Sequence, residues 1–144
     1  MTSTSPLDVQ VVFDATDPHA VAAFWAQALG YEREDHTEIV DGLVAAGHLP
    51  SDEAIDLDGG RAFRDVAAAS DPEGKRPRLF FQRVPEPKTV KNRVHLDIRV
   101  GSGSLDAEVA RLTDLGATFA YEMADRGPRV VTMHDPEGNE LCLS

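Results

Sequence analysis

The sequence predicts an α+β fold of two related halves, each running β-α-β-β-β, and three repeated features carry that expectation. A period-two strand pattern followed by an amphipathic helix that stops at Leu-Gly occurs at Val9–Gly30 and again at Val94–Gly116. The tetrapeptide Asp-Pro-Glu-Gly then follows in each half, at 71–74 and at 135–138. Spacing is held across strand and helix, since Gln10 to His95 is 85 residues and Leu29 to Leu115 is 86.

In the first half, Val9-Gln10-Val11-Val12-Phe13 reads as a strand with Val9, Val11 and Phe13 on one face. Asp17-Pro18 supplies an N-cap and a first-turn proline, and Val21, Phe24, Trp25, Ala28 and Leu29 recur at helical spacing before Gly30. A helix over residues 18–29 follows. In the second half, Val94, Leu96, Ile98 and Val100 alternate with His95, Asp97 and Arg99. After the turn Gly101-Ser102-Gly103-Ser104, a helix carries Leu105, Val109, Leu112 and Leu115 on one side. Each Asp-Pro-Glu-Gly lies between β-rich segments and suits a hairpin.

The halves differ in length between the helix and that tetrapeptide. Gly30 to Asp71 is 41 residues and Gly116 to Asp135 is 19, which places an insertion at Asp41 to Arg64, read as a loop with a short helix. The expected organisation is one domain, with a first module over about 7–87 and a second over about 92–144.

Composition narrows the function classes. Of 144 residues 42% are hydrophobic, enough to close a core, yet no run approaches a membrane span. The polar start at Met1–Pro6 has no leader character, and Cys142 is the single cysteine, so a cytoplasmic protein without disulfides is expected. Twenty-five acidic against fourteen basic residues give a net charge of -11, which argues against nucleic acid and anionic membranes as partners. The basic residues Arg76, Arg78, Arg83, Lys88, Lys91 and Arg93 fall in one short stretch and suggest a local anion-attracting patch.

Alternation also sorts the opposite faces. Gln10, Val12 and Asp14 point away from the helices, as do His95, Asp97 and Arg99. In the last strand Leu141 and Leu143 face the helix, leaving Glu140, Cys142 and Ser144 opposite. In Arg78–Val84 the pattern is blurred, and Phe80 with Gln82 is the pair expected on the open side. This mixed polar wall suits a small-molecule site.

Ala23-Phe24-Trp25 through Leu29-Gly30, Leu79-Phe80-Phe81-Gln82-Arg83-Val84, Lys88-Thr89-Val90-Lys91-Asn92-Arg93-Val94-His95-Leu96-Asp97 and Asp135-Pro136-Glu137-Gly138-Asn139-Glu140-Leu141-Cys142 resemble the vicinal oxygen chelate superfamily. That superfamily includes glyoxalase I, bleomycin-resistance proteins and extradiol dioxygenases, and the likeness, to its glyoxalase-like domains, spans essentially the whole chain. It implies an open barrel of two βαβββ modules around a shared cleft, with helices outside. It also implies metal-ligand positions at Gln10, at Phe80 or Gln82, at His95 and at Cys142. Cys142 stands where a glutamate is usual, no carboxylate is evident among the donors, and a divalent metal is therefore disfavoured. A degenerate site would consist of Gln10, His95 and Cys142.

His95 is the expected catalytic residue, because histidine as a side-chain type exchanges protons near neutral pH and also ligates metals. Gln10, Val12, Phe80, Gln82, Arg93, Asp97 and Cys142 line the expected cleft. A wall histidine bonded to Asp97 or Gln10 is the structural alternative for His95, and packing that for Cys142. Lys88, Lys91 and Arg93 are weighed as an anion clamp against a solvated linker. His19, His36, His48 and His134 show no ligand-type spacing. The resemblance implies a lyase, isomerase or dioxygenase acting on a small oxygenated metabolite, or a metal-free homodimeric drug- or antibiotic-binding protein of the bleomycin-resistance type.

Overall fold

A computed structural model describes residues 4–101 and 103–144. Met1–Ser3 of the expected polar start and Ser102 of the expected turn lie outside the described residues. The chain divides into two compact units, Met1–Val84 and Pro85–Ser144.

The first unit opens with β1 (Val11–Ala15), then α1 (Pro18–Leu29) and the two-residue β2 (Glu32–Arg33). Asp17 accepts from the Ala20 N–H and Gly30 closes the other end, so α1 has the bounds its capping residues dictate. Next come α2 (Thr37–Ala45), a 3-10 turn at Ser51–Glu53, and a hairpin of β3 (Ala54–Leu57) and β4 (Gly60–Phe63). With β5 (Val66–Ser70) and β6 (Leu79–Arg83), the main sheet has the order β1-β6-β5-β2, in which β1 and β6 are parallel and the other pairs antiparallel.

The second unit repeats this plan with β7 (Leu96–Ile98), α3 (Leu105–Asp114), β8 (Thr118–Met123), β9 (Val130–His134) and β10 (Glu140–Leu143). Its sheet order is β7-β10-β9-β8, again with the first pair parallel. Each unit is thus a βαβββ module, and neither four-stranded sheet closes on itself into a barrel. The registers fix equivalent positions: Val11 pairs with Leu79 as Leu96 pairs with Leu141, so Gln10 and His95 each stand one residue before the first paired residue.

The helix-facing sides are the cores. In the first unit Phe13 stacks on Phe81 at 5.2 Å and meets Trp25 of α1 at 5.3 Å, with Trp25 and Phe81 fully buried. In the second, Leu112 of α3 is buried together with Val131, Met133, Leu141 and Leu143. Burying side chains of this size contributes roughly 1.5–3 kcal/mol each.

Both Asp-Pro-Glu-Gly segments form the same turn. The aspartate carbonyl accepts from the glycine N–H at 2.9 Å in each, and Gly74 and Gly138 have φ of 65° and 86°. A side chain there would be strained, which explains the glycine. The aspartate side chains tie the turns down: Asp71 accepts from the N–H groups of Glu73, Lys75 and Arg76, and Asp135 from those of Glu137 and Asn139.

Three sequence expectations need correction. Val9 does not face a helix; pairing with β6 starts at Val11, and Val9 is 68% exposed. Val94 likewise stands outside β7 and is 77% exposed, because β10 first pairs with β7 at Leu96. The insertion is a helix plus a hairpin, and it begins before Asp41: Asp35 accepts from both the N–H and the hydroxyl of Thr37, which starts α2 there.

Candidate functional site

The open face of each sheet, opposite its helix, carries the residues singled out by alternation, and the two faces differ. In the first unit they are consumed by one another. Arg78 donates through Nε and Nη2 to the two oxygens of Glu34, at 2.6 and 2.8 Å, and through Nη1 to Gln10 Oε1 at 2.8 Å. Its guanidinium also lies 5.4 Å from the Phe80 ring centroid. Ser70 donates to Glu34, and His36 Nε2 lies 3.2 Å from it. The Arg78 hydrogen bond is the main cause holding the Glu34 carboxyl down at about 2. Gln82 donates to Asp14 at 2.9 Å. Val12 lies on the same face, opposite Phe80, and is 49% exposed.

In the second unit the open face is less tied up. Asp97 of β7 pairs in register with Cys142 of β10, and Cys142 with Thr132 of β9. His95 precedes Asp97 by two residues, so both side chains lie on the same side. His95 Nε2 is 3.1 Å from Asp97 Oδ1, and side-chain exposures of 40% and 66% keep both reachable from solvent. Cys142 is half-buried, and its Sγ lies 3.3 Å from the hydroxyl of buried Thr132. Among the described residues, His95, Asp97 and Cys142 are the one group of three potential metal ligands whose donor atoms converge, all within 4.8 Å of one another.

That trio corrects the expectation that no carboxylate joins the donors. Bonds of about 2.0–2.3 Å to one zinc-type ion place its ligand atoms roughly 3–4 Å apart, so the imidazole, carboxylate and thiol are donor types that suit a divalent cation, at a spacing that would have to tighten around it. Asp97 was legible as a same-face neighbour of His95. Its meeting with Cys142 depends on the parallel register, for which no local signal exists. Gln10, the other expected donor, has its amide oxygen engaged by Arg78.

Four residues of the basic stretch are paired with carboxylates. Arg76 pairs with Asp71, Arg78 with Glu34, Arg83 with Asp65 and Lys88 with Glu140. Lys88 Nζ reaches Glu140 at 3.0 Å while the Asn92 N–H donates to the other carboxylate oxygen, so the segment before β7 is latched to β10. Burial pushes the Glu140 carboxyl up, but these bonds outweigh it and hold it below the usual range. Arg93 is exposed and lies two residues before His95, and neither residue belongs to β7. A cavity of about 440 Å³ lies between the insertion and the α1, β2 and β5 residues His19, Arg33, Ala67 and Ala68, but its arginines, Arg33 and Arg61, are already paired with Asp58 and Asp41.

The paired βαβββ modules, the Asp-Pro-Glu-Gly turns and His95 before β7 coincide with a family match, to the glyoxalase-like domain, over residues 10–144. The chain belongs to the glyoxalase-like domain family. It is thereby a member of the vicinal oxygen chelate superfamily. No curated protein matches the chain. Solved structures with the same fold include the fosfomycin resistance protein FosX from Mesorhizobium loti, at 11% identity and a TM-score of 0.60, covering 98% of this chain and 91% of that one. The bleomycin-binding protein of Streptomyces verticillus, solved with copper(II)-bleomycin, matches at 17% identity and a TM-score of 0.56, covering 99% and 98%. A glyoxalase/bleomycin resistance protein/dioxygenase family enzyme from Burkholderia phytofirmans matches at 16% identity and 0.61, covering 93% and 94%. At these identities the likeness is one of fold. Among the described residues no helix is long and apolar enough to cross a membrane.

Proposed function

We propose that this glyoxalase-like domain binds a small oxygenated metabolite on the open face of its second sheet and transforms it as a lyase, isomerase or dioxygenase. The observation that carries the reading is the exposed His95–Asp97 pair, 3.1 Å apart, beside the Cys142 thiol. In this reading Asp97 orients the imidazole, His95 moves a proton on the bound molecule, and Cys142 with Thr132 forms the adjoining wall. A metal held by His95, Asp97 and Cys142 would supply Lewis-acid polarisation of a ligand oxygen.

A second reading, a homodimeric protein that sequesters a drug or antibiotic without transforming it, is favoured by the apolar groups of the open faces. Tyr121 and Met123 share the side of Thr132 and Val130 and are 49% and 50% exposed; Val12 is exposed in the first unit. Such groups suit a ligand with a large apolar body or a second copy of the chain.

The test is a screen of oxygenated metabolites and antibiotics by thermal shift, followed by calorimetry and product analysis with parent and His95→Ala. Both readings expect a ligand that stabilises the parent and loses affinity for the variant at least about tenfold, with the variant's own stability within about 1–2 kcal/mol of the parent. Product formation selects the enzyme. Unchanged ligand affinity in a strongly destabilised variant would make His95 structural and refute the site.

A further inference from the structure

The geometry points to a second binding site, in the first unit. The cavity between the insertion and the α1, β2 and β5 residues takes a zwitterionic ligand of the α-amino-acid class, its carboxylate on Arg61 and Arg33 and its ammonium on Asp58 and Asp35. None of its lining residues belongs to the His95 site.

The starting observation is an unspent donor. Among the described residues, Arg61 Nε is the one buried side-chain nitrogen or oxygen without a hydrogen-bond partner, and Arg61 lines this cavity of about 440 Å³. A buried donor left unpaired has lost its water for nothing, so a position that keeps one calls for an acceptor. Asp56 Oδ1 stands 3.5 Å from Nε, too far for a good hydrogen bond, on a side chain 94% exposed. The other ion pairs leave donors over as well. Arg33 bonds Asp58 and Arg61 bonds Asp41 through Nη1 alone, whereas each guanidinium carries five N–H groups. Asp58 and Asp41 are exposed, so these pairs are weak and yield to a ligand.

Acceptors balance these donors. Of the three carboxylates in the lining, Glu34 is consumed by Arg78, whereas Asp35 and Asp58 each engage one oxygen and keep the other. Thr37 bonds Asp35 and holds its carboxyl below the usual range, so it stays charged. Two arginines and two aspartates then share one cavity. That balance disfavours a plain anion or a plain cation and suits a molecule carrying both charges. Leu57, Ala62, Ala67 and Ala68 add an apolar wall for its side chain. The wall is built in advance: Thr37 Oγ1 accepts from the Arg61 N–H at 2.9 Å, and a side chain on Gly60 would collide with that hydroxyl, so the hairpin is pinned to the start of α2.

The experiment titrates the full chain with the common L-α-amino acids one at a time, by thermal shift and then calorimetry. For each hit the matching α-hydroxy acid, the matching amine without its carboxylate, and inorganic phosphate are run in parallel. Expected is saturable binding of about one amino acid per chain, with all three analogues weaker by at least about tenfold. Arg61→Gln and Asp58→Asn each weaken it by at least about tenfold, and asparagine keeps the turn at position 58, where φ is 50°. Asp41 is outside the lining, and Asp41→Asn frees Arg61 Nη1 and tightens binding about two- to fivefold. That gain decides the matter should Arg61→Gln not fold. His95→Ala, which disables the other site, leaves this affinity unchanged. The inference is overturned if no amino acid binds, or if the hydroxy acid, the amine or phosphate binds as tightly. Unchanged affinity in folded Arg61→Gln or in Asp41→Asn overturns it too, as does loss of binding in His95→Ala, which would put the ligand in the second sheet's site.

Discussion

The two units share a topology and a core pattern and differ on their open faces. In the first, Arg78 gathers Glu34, Gln10 and Phe80 into one interlocked cluster, so the polar residues there mainly hold β1, β6 and the segment after β2 together. In the second, the position equivalent to Gln10 is His95 and the positions equivalent to Val12 and Phe80 are Asp97 and Cys142, which brings an imidazole, a carboxylate and a thiol together. One open face is thus closed up by its own hydrogen bonds, while the other keeps exposed polar side chains.

Four measurements test that contrast. The largest concerns what the units share. Leu79 and Leu141 are equivalent, fully buried and helix-facing, so Leu79→Ala and Leu141→Ala should each cost about 2–5 kcal/mol in denaturant unfolding. A negligible effect at either would break the equivalence of the cores.

Next is the first unit's cluster. Glu34 is held at about 2 against an ordinary value of 4.5. A lowered carboxylate pKa stabilises the fold above the unfolded-state value, and that stabilisation is lost as pH falls through the folded-state value. Glu34→Gln should therefore cost about 2 kcal/mol at neutral pH, after allowance for partial exposure of the pair, and nearly nothing by about pH 2. Equal losses at both pH values would show that the effect is packing rather than charge.

The helix caps should respond alike in the two units. Asp17 accepts from Ala20 at 3.1 Å and Ser104 from Ala107 at 3.2 Å, so Asp17→Ala and Ser104→Ala should each cost about 1 kcal/mol by thermal unfolding. A much larger loss at one would mean that its side chain does more than cap.

Smallest on stability is Asp97→Asn, expected to shift unfolding by under about 0.5 kcal/mol because the carboxylate is exposed. A loss of several times that would place the second open face in the same structural role as the first.

Local patterns in the chain were enough to read the two βαβββ halves, the bounds of α1, both Asp-Pro-Glu-Gly turns, and the shared face of Asp97 and Cys142. Those features depend on short-range rules: period-two alternation, caps within three or four residues, and turns needing a positive φ. Tertiary structure alone decided which residues meet. Strand pairing begins at Val11 and Leu96 because Leu79 and Leu141 are their partners, and this removed Val9 and Val94 from the helix-facing sets. The same registers set Asp97 against Cys142, 45 residues along the chain, and brought Arg78 to Gln10, 68 residues away. Neighbours so far apart in sequence are chosen by the register of whole strands, and that register is fixed only when each sheet buries its apolar face against its own helix.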